Sequence, residues 1–146
     1  MAKENNMRFY PEKWPIIENE ATQDKFEIVE IGEKGVGLKT KVPFSNGDLV
    51  FAFTGVMLQW RTLFTLEHNK IAHIEDPYVM GRVLHSCDPN MICDMSKLEF
   101  HATKDILPGE FLTMDYETTE SQLYRSFDCS CGSEKCRGKI TGSDQA

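Results

Sequence analysis

The chain has 146 residues, which is enough for one domain with a buried core. Hydrophobic residues make up 40% and charged residues 27%, and no apolar run approaches the ~20 residues that a membrane-spanning helix needs. The formal net charge of −7 argues against nucleic acid as the main ligand, because phosphate contacts need a basic surface. The charge favours a cationic partner, with mere solubility of a small domain as the alternative.

Residues 1–25 are polar and irregular, and Pro11 and Pro15 break any helix there. We therefore expect a lead-in arm. This stretch has no apolar run that would make a signal peptide, so a cytosolic location is expected, or a nuclear one in a eukaryote. Thiols stay reduced in those compartments, and clustered cysteines there favour a metal site over disulfides.

Short strands separated by turns are predicted from Phe26 onward. "KFEIVEI" and "LKTKV" alternate apolar and polar residues on either side of the turn "EKGVG". "PFSNGD" then predicts a turn that leads into "LVFAF", a run typical of a buried strand.

The second half of the chain continues in the same style. Residues 56–80 have room for one short helix near "RTLFTLEHN", whereas "LEFHATKDI" and "FLTMDY" read as strands with "LPGE" as the turn between them. The polar connector "ETTESQLYRS" is expected to be partly helical. Many short strands with little helix predict a mostly β domain.

Three cysteines near the C-terminus, in "FDCSCGSEKC", have a spacing that suits a metal site. Cys129, Cys131 and Cys136 supply three thiolates, whereas a structural zinc ion takes four ligands. Cys87 lies in the turn-rich stretch "HSCDPN", and Cys93 lies among apolar residues, where a buried inert thiol is common. We therefore predict Cys87 as the fourth ligand.

Zinc held in this way would be structural, because four protein ligands leave no open position for water. It would also fold the C-terminal segment over the middle of the domain. The alternatives for the cysteines are a redox pair or incidental free thiols.

Five motifs in order make the chain resemble SET-domain protein-lysine methyltransferases that carry a post-SET zinc-binding tail. They are "EKGVGL", "GDLVFAFTG", "HSCDPN", "LPGEFLTMDY" and "CSCGSEKCRGKI". The resemblance implies S-adenosylmethionine as methyl donor and a lysine side chain of a protein or peptide as acceptor. It also implies that the same four cysteines share one zinc ion.

The resemblance also implies how the chain is divided. The N-terminal arm would span 1–25, the SET domain 26–118, the post-SET zinc segment 119–141 and a short tail 142–146. Small sheets of short strands are implied, with a knot-like crossing in which the segment after Tyr116 passes beneath the loop around His85–Asn90.

The implied site residues fall into two groups. Tyr116 matches the catalytic tyrosine of the family and would also contact the donor. The other residues implied to bind the donor are Lys34, Gly35, Val36, Gly37, Leu84, His85 and Ile140. The residues proposed to line the substrate channel are Phe53, Tyr78, Met114 and Tyr124.

Two departures from the family pattern keep a second interpretation open. Leu84 stands where the family usually has Asn, and Phe53 stands where many members have Tyr. The alternative to an enzyme is a non-catalytic SET-like binding module that retains the structural zinc. A zinc hydrolase is disfavoured, because the four histidines show no H-E-x-x-H spacing.

Overall fold

The computed structural model describes residues 7–32, 35–69, 71–118, 120, 127–128, 134 and 136–140. Short strands form small sheets, with brief 3-10 helices at Met80–Arg82 and Tyr116–Thr118. The strands are β1 (Phe26–Glu30), β2 (Val36–Thr40), β3 (Leu49–Ala52), β4 (Val56–Leu58), β5 (Thr65–Asn69), β6 (Ala72–Glu75), β7 (Leu84–His85), β8 (Met91–Asp94), β9 (Glu99–Ala102), β10 (Thr113–Met114), β11 (Phe127–Asp128) and β12 (Lys139–Ile140).

The strands pair into five small sheets among the described residues. Strands β1 and β2 form an antiparallel hairpin, and two three-stranded sheets have the orders β3-β9-β8 and β4-β6-β5. Strand β7 pairs in parallel with β10, and β11 pairs antiparallel with β12. The predicted mostly β architecture is therefore confirmed.

Aromatic side chains fill the core between these sheets. Phe51 and Phe53 both contact the ring of Phe100, at centroid distances of 5.0 and 5.2 Å, and all three are buried. The run "LVFAF" is buried from Val50 onward, as its composition predicts, and a parallel bridge joins Ala52 to Glu20. Burial of such large rings is the main favourable contribution to the stability of the fold.

The helix expected near "RTLFTLEHN" is wrong, since Thr65–Asn69 is strand β5. The amide of Thr62 donates to Oγ1 of Thr65, and the Thr62 hydroxyl accepts the amide of Phe64. Such side-chain bonds compete with the first turn of a helix. Pairing of β5 with β6 then satisfies the backbone, so tertiary contacts outweigh the local pattern.

The described residues 7–25 are irregular, as expected, and a buried ion pair within this segment joins Arg8 to Glu20. Nε of Arg8 lies 2.7 Å from Glu20, and the two side chains are only 4% and 5% exposed. The same guanidinium donates to the carbonyls of Trp14 and Pro15. The buried Arg8 side chain therefore connects three separate points of this segment.

No helix in the described part of the chain is long and apolar enough to cross a membrane.

Replacing Glu20 by Gln should lower the free energy of unfolding by about 3–5 kcal/mol, because it leaves the buried Arg8 charge without its counter-charge. Urea denaturation of the variant measures the loss. Glu18→Gln is the matched control, since Glu18 is exposed and should cost less than about 0.5 kcal/mol. Equal midpoints for the two variants would contradict a structural role for the ion pair.

Candidate functional site

The parallel pair β7 and β10 joins two of the motifs singled out in the sequence. Leu84 pairs with Thr113 and His85 pairs with Met114. The amides of Leu84 and Ser86 donate to carbonyls of the β10 side, at 3.4 and 3.0 Å. Because neighbouring residues of a strand point their peptide groups to opposite sides, the N–H and C=O of His85 face away from β10.

Asn90, the last residue of "HSCDPN", clamps the start of β10. Its side-chain amide donates to the Phe111 carbonyl at 2.9 Å, and its Oδ1 accepts the amide of Thr113 at 2.9 Å. The backbone amide of Asn90 in turn donates to Oγ1 of Thr113. The side chain thus replaces a backbone strand partner, a role that the turn signal in the sequence did not reveal.

Tyr116 is hydrogen-bonded to the β7 segment through both its hydroxyl and its backbone amide. Its hydroxyl donates to the Val83 carbonyl at 2.8 Å, and its amide donates to Nδ1 of His85 at 3.1 Å. The two rings lie 5.0 Å apart, edge to face. Burial raises the pKa of the Tyr116 hydroxyl to about 12, so the group stays protonated at neutral pH.

His85 links this tyrosine to Cys87. Because Nδ1 accepts a hydrogen bond from Tyr116, the neutral ring carries its proton on Nε2, which lies 3.5 Å from Sγ of Cys87. The amide of Arg137 also donates to that sulfur, at 3.4 Å. Two N–H donors on one sulfur fit a metal-bound thiolate, whose outer contacts are of this kind.

The predicted zinc ligands are described only in part. Arg137 directly follows Cys136 in the chain, so its contact brings Cys136 close to Cys87. Cys129 and Cys131 lie outside the described residues. No group of three or more metal-binding side chains occurs within the described ranges, and the full quartet stays a prediction.

Cys93, the other candidate ligand, has a different environment. Burial raises the pKa of its thiol to about 12, and its Sγ contacts the sulfur of Met95 at 3.4 Å. A neutral thiol among apolar groups is a poor metal ligand. The geometry therefore favours Cys87 over Cys93 as a ligand.

Gly35, in the turn between β1 and β2, and Gly37, in β2, have different surroundings. Gly35 has φ +91°, and a Cβ there would meet nothing within 4 Å, so its backbone borders open space. A Cβ on Gly37 would lie 2.9 Å from the ring of Phe111 and 3.0 Å from Cδ1 of Leu84. Leu84 therefore has an apolar contact where the family pattern leads one to expect a polar residue.

The remaining donor residues predicted from the sequence lie in β2, in β12 or outside the described part of the chain. Val36 is half-buried in β2, and Ile140 is fully buried in β12, where it pairs with Phe127. Lys34 lies outside the described residues.

The predicted channel residues are not all brought together. Phe53 and Met114 are 2% and 1% exposed and belong to the core on which Tyr116 packs. Tyr78 instead stacks edge-on against Trp14, at 5.2 Å. Tyr124 and the residues of the expected knot-like crossing, 119 and 121–126, lie outside the described residues. The channel role of these residues stays a prediction.

Asp76 is a supporting residue that sequence analysis missed. Its carboxylate is fully buried and accepts the Tyr10 hydroxyl at 2.6 Å. It also accepts the amides of Tyr78, Val79 and Met80. These bonds shape the turn that ends at Val83, the carbonyl partner of Tyr116. Burial raises the pKa of the Asp76 carboxyl, while the four donors oppose that shift.

Comparison with known proteins decides the family. A sequence profile described as the SET domain matches residues 9–117. The chain belongs to the SET-domain family. The match begins within the segment 1–25 that the sequence presents as an arm.

Two relatives illustrate the similarity in sequence. The methyltransferase flvH of Aspergillus flavus is 41% identical over 61 residues, which cover 40% of this chain and 34% of that protein. The histone-lysine N-methyltransferase ash1 of Drosophila melanogaster is 27% identical over 154 residues, covering 88% of this chain and 7% of that protein. The chain thus spans only a minor part of the length of these curated relatives.

Solved structures agree with the SET fold. The methyltransferase domain of human histone-lysine N-methyltransferase SETMAR superposes with a TM-score of 0.64 at 22% identity, covering 80% of this chain and 58% of that one. A crystal structure of KRYPTONITE in complex with mCHG DNA and SAH gives 0.65 at 20% identity, covering 78% and 28%. Identities this low establish the fold alone.

Replacing Asn90 by Ala should lower the free energy of unfolding by about 1–3 kcal/mol, because the Phe111 carbonyl and the Thr113 amide lose a buried partner. Chemical denaturation measures the change. Asn46→Ala is the control, since Asn46 lies exposed in the β2–β3 turn. If both variants unfolded at the same urea concentration, the clamp would contribute nothing to stability.

Proposed function

We propose that the chain catalyses S-adenosylmethionine-dependent methylation of a lysine side chain in a protein or peptide. The observation that carries the proposal is the double attachment of Tyr116 to the β7 segment, through the Val83 carbonyl and the His85 ring. Relatives named histone-lysine N-methyltransferases, including ash1, support the same activity.

The residues around β7 fit the proposed donor. The peptide group of His85 faces away from β10, on the side where the family resemblance would lay the adenine against Leu84 and His85. The open backbone at Gly35 leaves room for close approach of a ligand. Buried Ile140 supplies an apolar side chain from the C-terminal segment, to which the family resemblance assigns the other face of the adenine.

The reaction needs an activated methyl group and a neutral amine. When bound, S-adenosylmethionine supplies the methyl cation equivalent, so that a C–N bond forms on lysine while the C–S bond breaks and sulfur keeps the electron pair. The free lysine, with a pKa of ~10.4, is mostly protonated at neutral pH. An apolar surround such as the core beside Tyr116 favours loss of that proton to solvent.

Tyr116 would orient the amine rather than take its proton. Its hydroxyl donates its one hydrogen to the Val83 carbonyl and accepts the backbone amide of His85, so the second lone pair of the oxygen would accept an N–H of the lysine. A phenol with its pKa raised to about 12 does not ionise at neutral pH, so it is a weak base there. Positioning of the nitrogen is thus the contribution that we assign to it.

A structural zinc ion bound by Cys87, Cys129, Cys131 and Cys136 belongs to the same proposal, together with the post-SET tail. The two N–H donors on the Cys87 sulfur and the proximity of Cys136 support it. The ion would fasten the C-terminal segment beside β7 and would take no part in the chemistry.

We propose a basic, lysine-bearing substrate, since the chain carries a net charge of −7. That nucleic acid is not the main partner stays an expectation from this charge. A cytosolic or nuclear location is part of the proposal, because zinc-bound thiolates persist where thiols are kept reduced.

Replacing Tyr116 by Phe should lower methyl transfer to Lys-rich peptides by about a hundredfold, because the amine loses its orienting oxygen. Mass spectrometry of the peptide measures transfer. Zinc content and S-adenosylmethionine binding, followed by calorimetry, should stay as in the unchanged chain. Full activity of the variant would remove Tyr116 from the mechanism.

If the unchanged chain bound the donor but transferred no methyl group to any peptide, a non-catalytic binding module would be favoured.

Replacing Cys87 by Ser should release the zinc ion and abolish donor binding, since a hydroxyl is a poor substitute for a thiolate ligand. Cys93→Ser is the matched control and should retain the metal. Elemental analysis of each purified variant gives the metal content. Loss of zinc in the Cys93 variant alone would reverse the assignment of the fourth ligand.

A further inference from the structure

Arg137 forms a two-pronged ion pair with Asp115. Its Nη1 lies 3.0 Å from Oδ2 and its Nη2 lies 2.7 Å from Oδ1, the parallel geometry that only a guanidinium can give to a carboxylate. The Asp115 side chain is 15% exposed and that of Arg137 is 39% exposed. The pair therefore lies at the edge of the site and is partly shielded from water.

The ion pair links the residue before Tyr116 to the residue after Cys136. Asp115 directly precedes Tyr116, and its Oδ1 lies 3.8 Å from Nδ1 of His85. Arg137 begins the segment that ends at buried Ile140, and its own amide donates to the Cys87 sulfur. One residue thus contacts both the end of β10 and the turn after β7.

We propose that Arg137 is a positioning residue, which clasps the C-terminal segment onto Asp115 and so holds the donor site closed. This inference rests on the proposed function, because it takes His85 and Ile140 as residues of one donor site, as the family resemblance implies. The clasp acts in addition to the predicted metal, which by itself would fix the segment only up to Cys136.

A second attachment has a physical purpose here. A segment held at a single point can still rotate about that point, whereas two attachments on different atoms fix its direction. The fork at Asp115 and the amide bond to Cys87 are two such points, and they lie on opposite ends of the same residue. Ile140, three residues further on, is thereby kept buried.

The test compares Arg137→Gln with Arg137→Lys and with a matched control. Lys104→Gln is that control, because it also removes one positive charge from an ion pair, here with exposed Asp88 beside Cys87. For each variant of the full chain, three quantities are measured. They are zinc content, the dissociation constant for S-adenosylmethionine by calorimetry, and the rate of hydrogen exchange at the amides of Lys139 and Ile140.

Arg137→Gln should bind S-adenosylmethionine about three- to fivefold more weakly, the range expected for a partly exposed ion pair. Exchange at Lys139 and Ile140 should accelerate by a similar factor, while zinc content stays unchanged. For Arg137→Lys, the dissociation constant and the exchange rates should lie between those of the unchanged chain and those of Arg137→Gln. The reason is that an ammonium makes one contact where the guanidinium makes two. In transfer assays the KM for the donor should rise with little change in kcat. Lys104→Gln should match the unchanged chain in every measurement.

Donor binding and exchange in Arg137→Gln equal to those of Lys104→Gln would overturn the clasp, and so would loss of zinc in Arg137→Gln. The proposed function is judged separately, by transfer in the unchanged chain. If the unchanged chain neither bound the donor nor methylated peptide, the proposed function would fail. Hydrogen exchange in the donor-free variants would still decide whether Arg137 fastens the segment.

Discussion

The short parallel pairing of β7 with β10 is the contact on which the candidate site depends. Two strands of two residues each cannot hold together by their own backbone bonds. Side chains therefore complete the pairing, with Asn90 bonded to the flanks of β10 and Tyr116 bonded to both Val83 and His85. Of the described residues implied in donor binding or catalysis, Leu84, His85 and Tyr116 meet at this junction, and Gly37 packs beside Leu84.

The polar groups at this junction serve two purposes at once. His85 accepts the Tyr116 amide through one ring nitrogen and faces Cys87 with the other, so the tyrosine and the predicted metal ligand share one imidazole. Asp76 stands behind the same junction and fixes the turn that carries the Val83 carbonyl. A change in the protonation or orientation of one of these groups would therefore alter both the proposed catalytic residue, Tyr116, and the proposed zinc site at Cys87.

Sequence reasoning found strands β1, β2, β3, β9 and β10 and the family, because alternation and short motifs are local signals. It failed at residues 61–69, where pairing with β6 outweighed a local helical pattern. It could not find Asp76, Asn90 as a clamp or the Arg137 fork either. Each of those roles depends on a partner far away in the chain, such as Tyr10 for Asp76, and no spacing rule connects the two. The sequence suggested that Leu84 loses a polar contact to the donor, whereas the structure gives its side chain a packing role beside Gly37.

The buried contact between Arg8 and Glu20 bears on how this domain can be cut out for laboratory work. The family profile begins at residue 9, one position beyond the cation that neutralises Glu20. A truncation guided by that boundary would remove the Arg8 guanidinium. The buried Glu20 carboxylate and the carbonyls of Trp14 and Pro15 would then lose their partner. Poor yield of such a fragment would then reflect one deleted side chain, not an unstable catalytic fold.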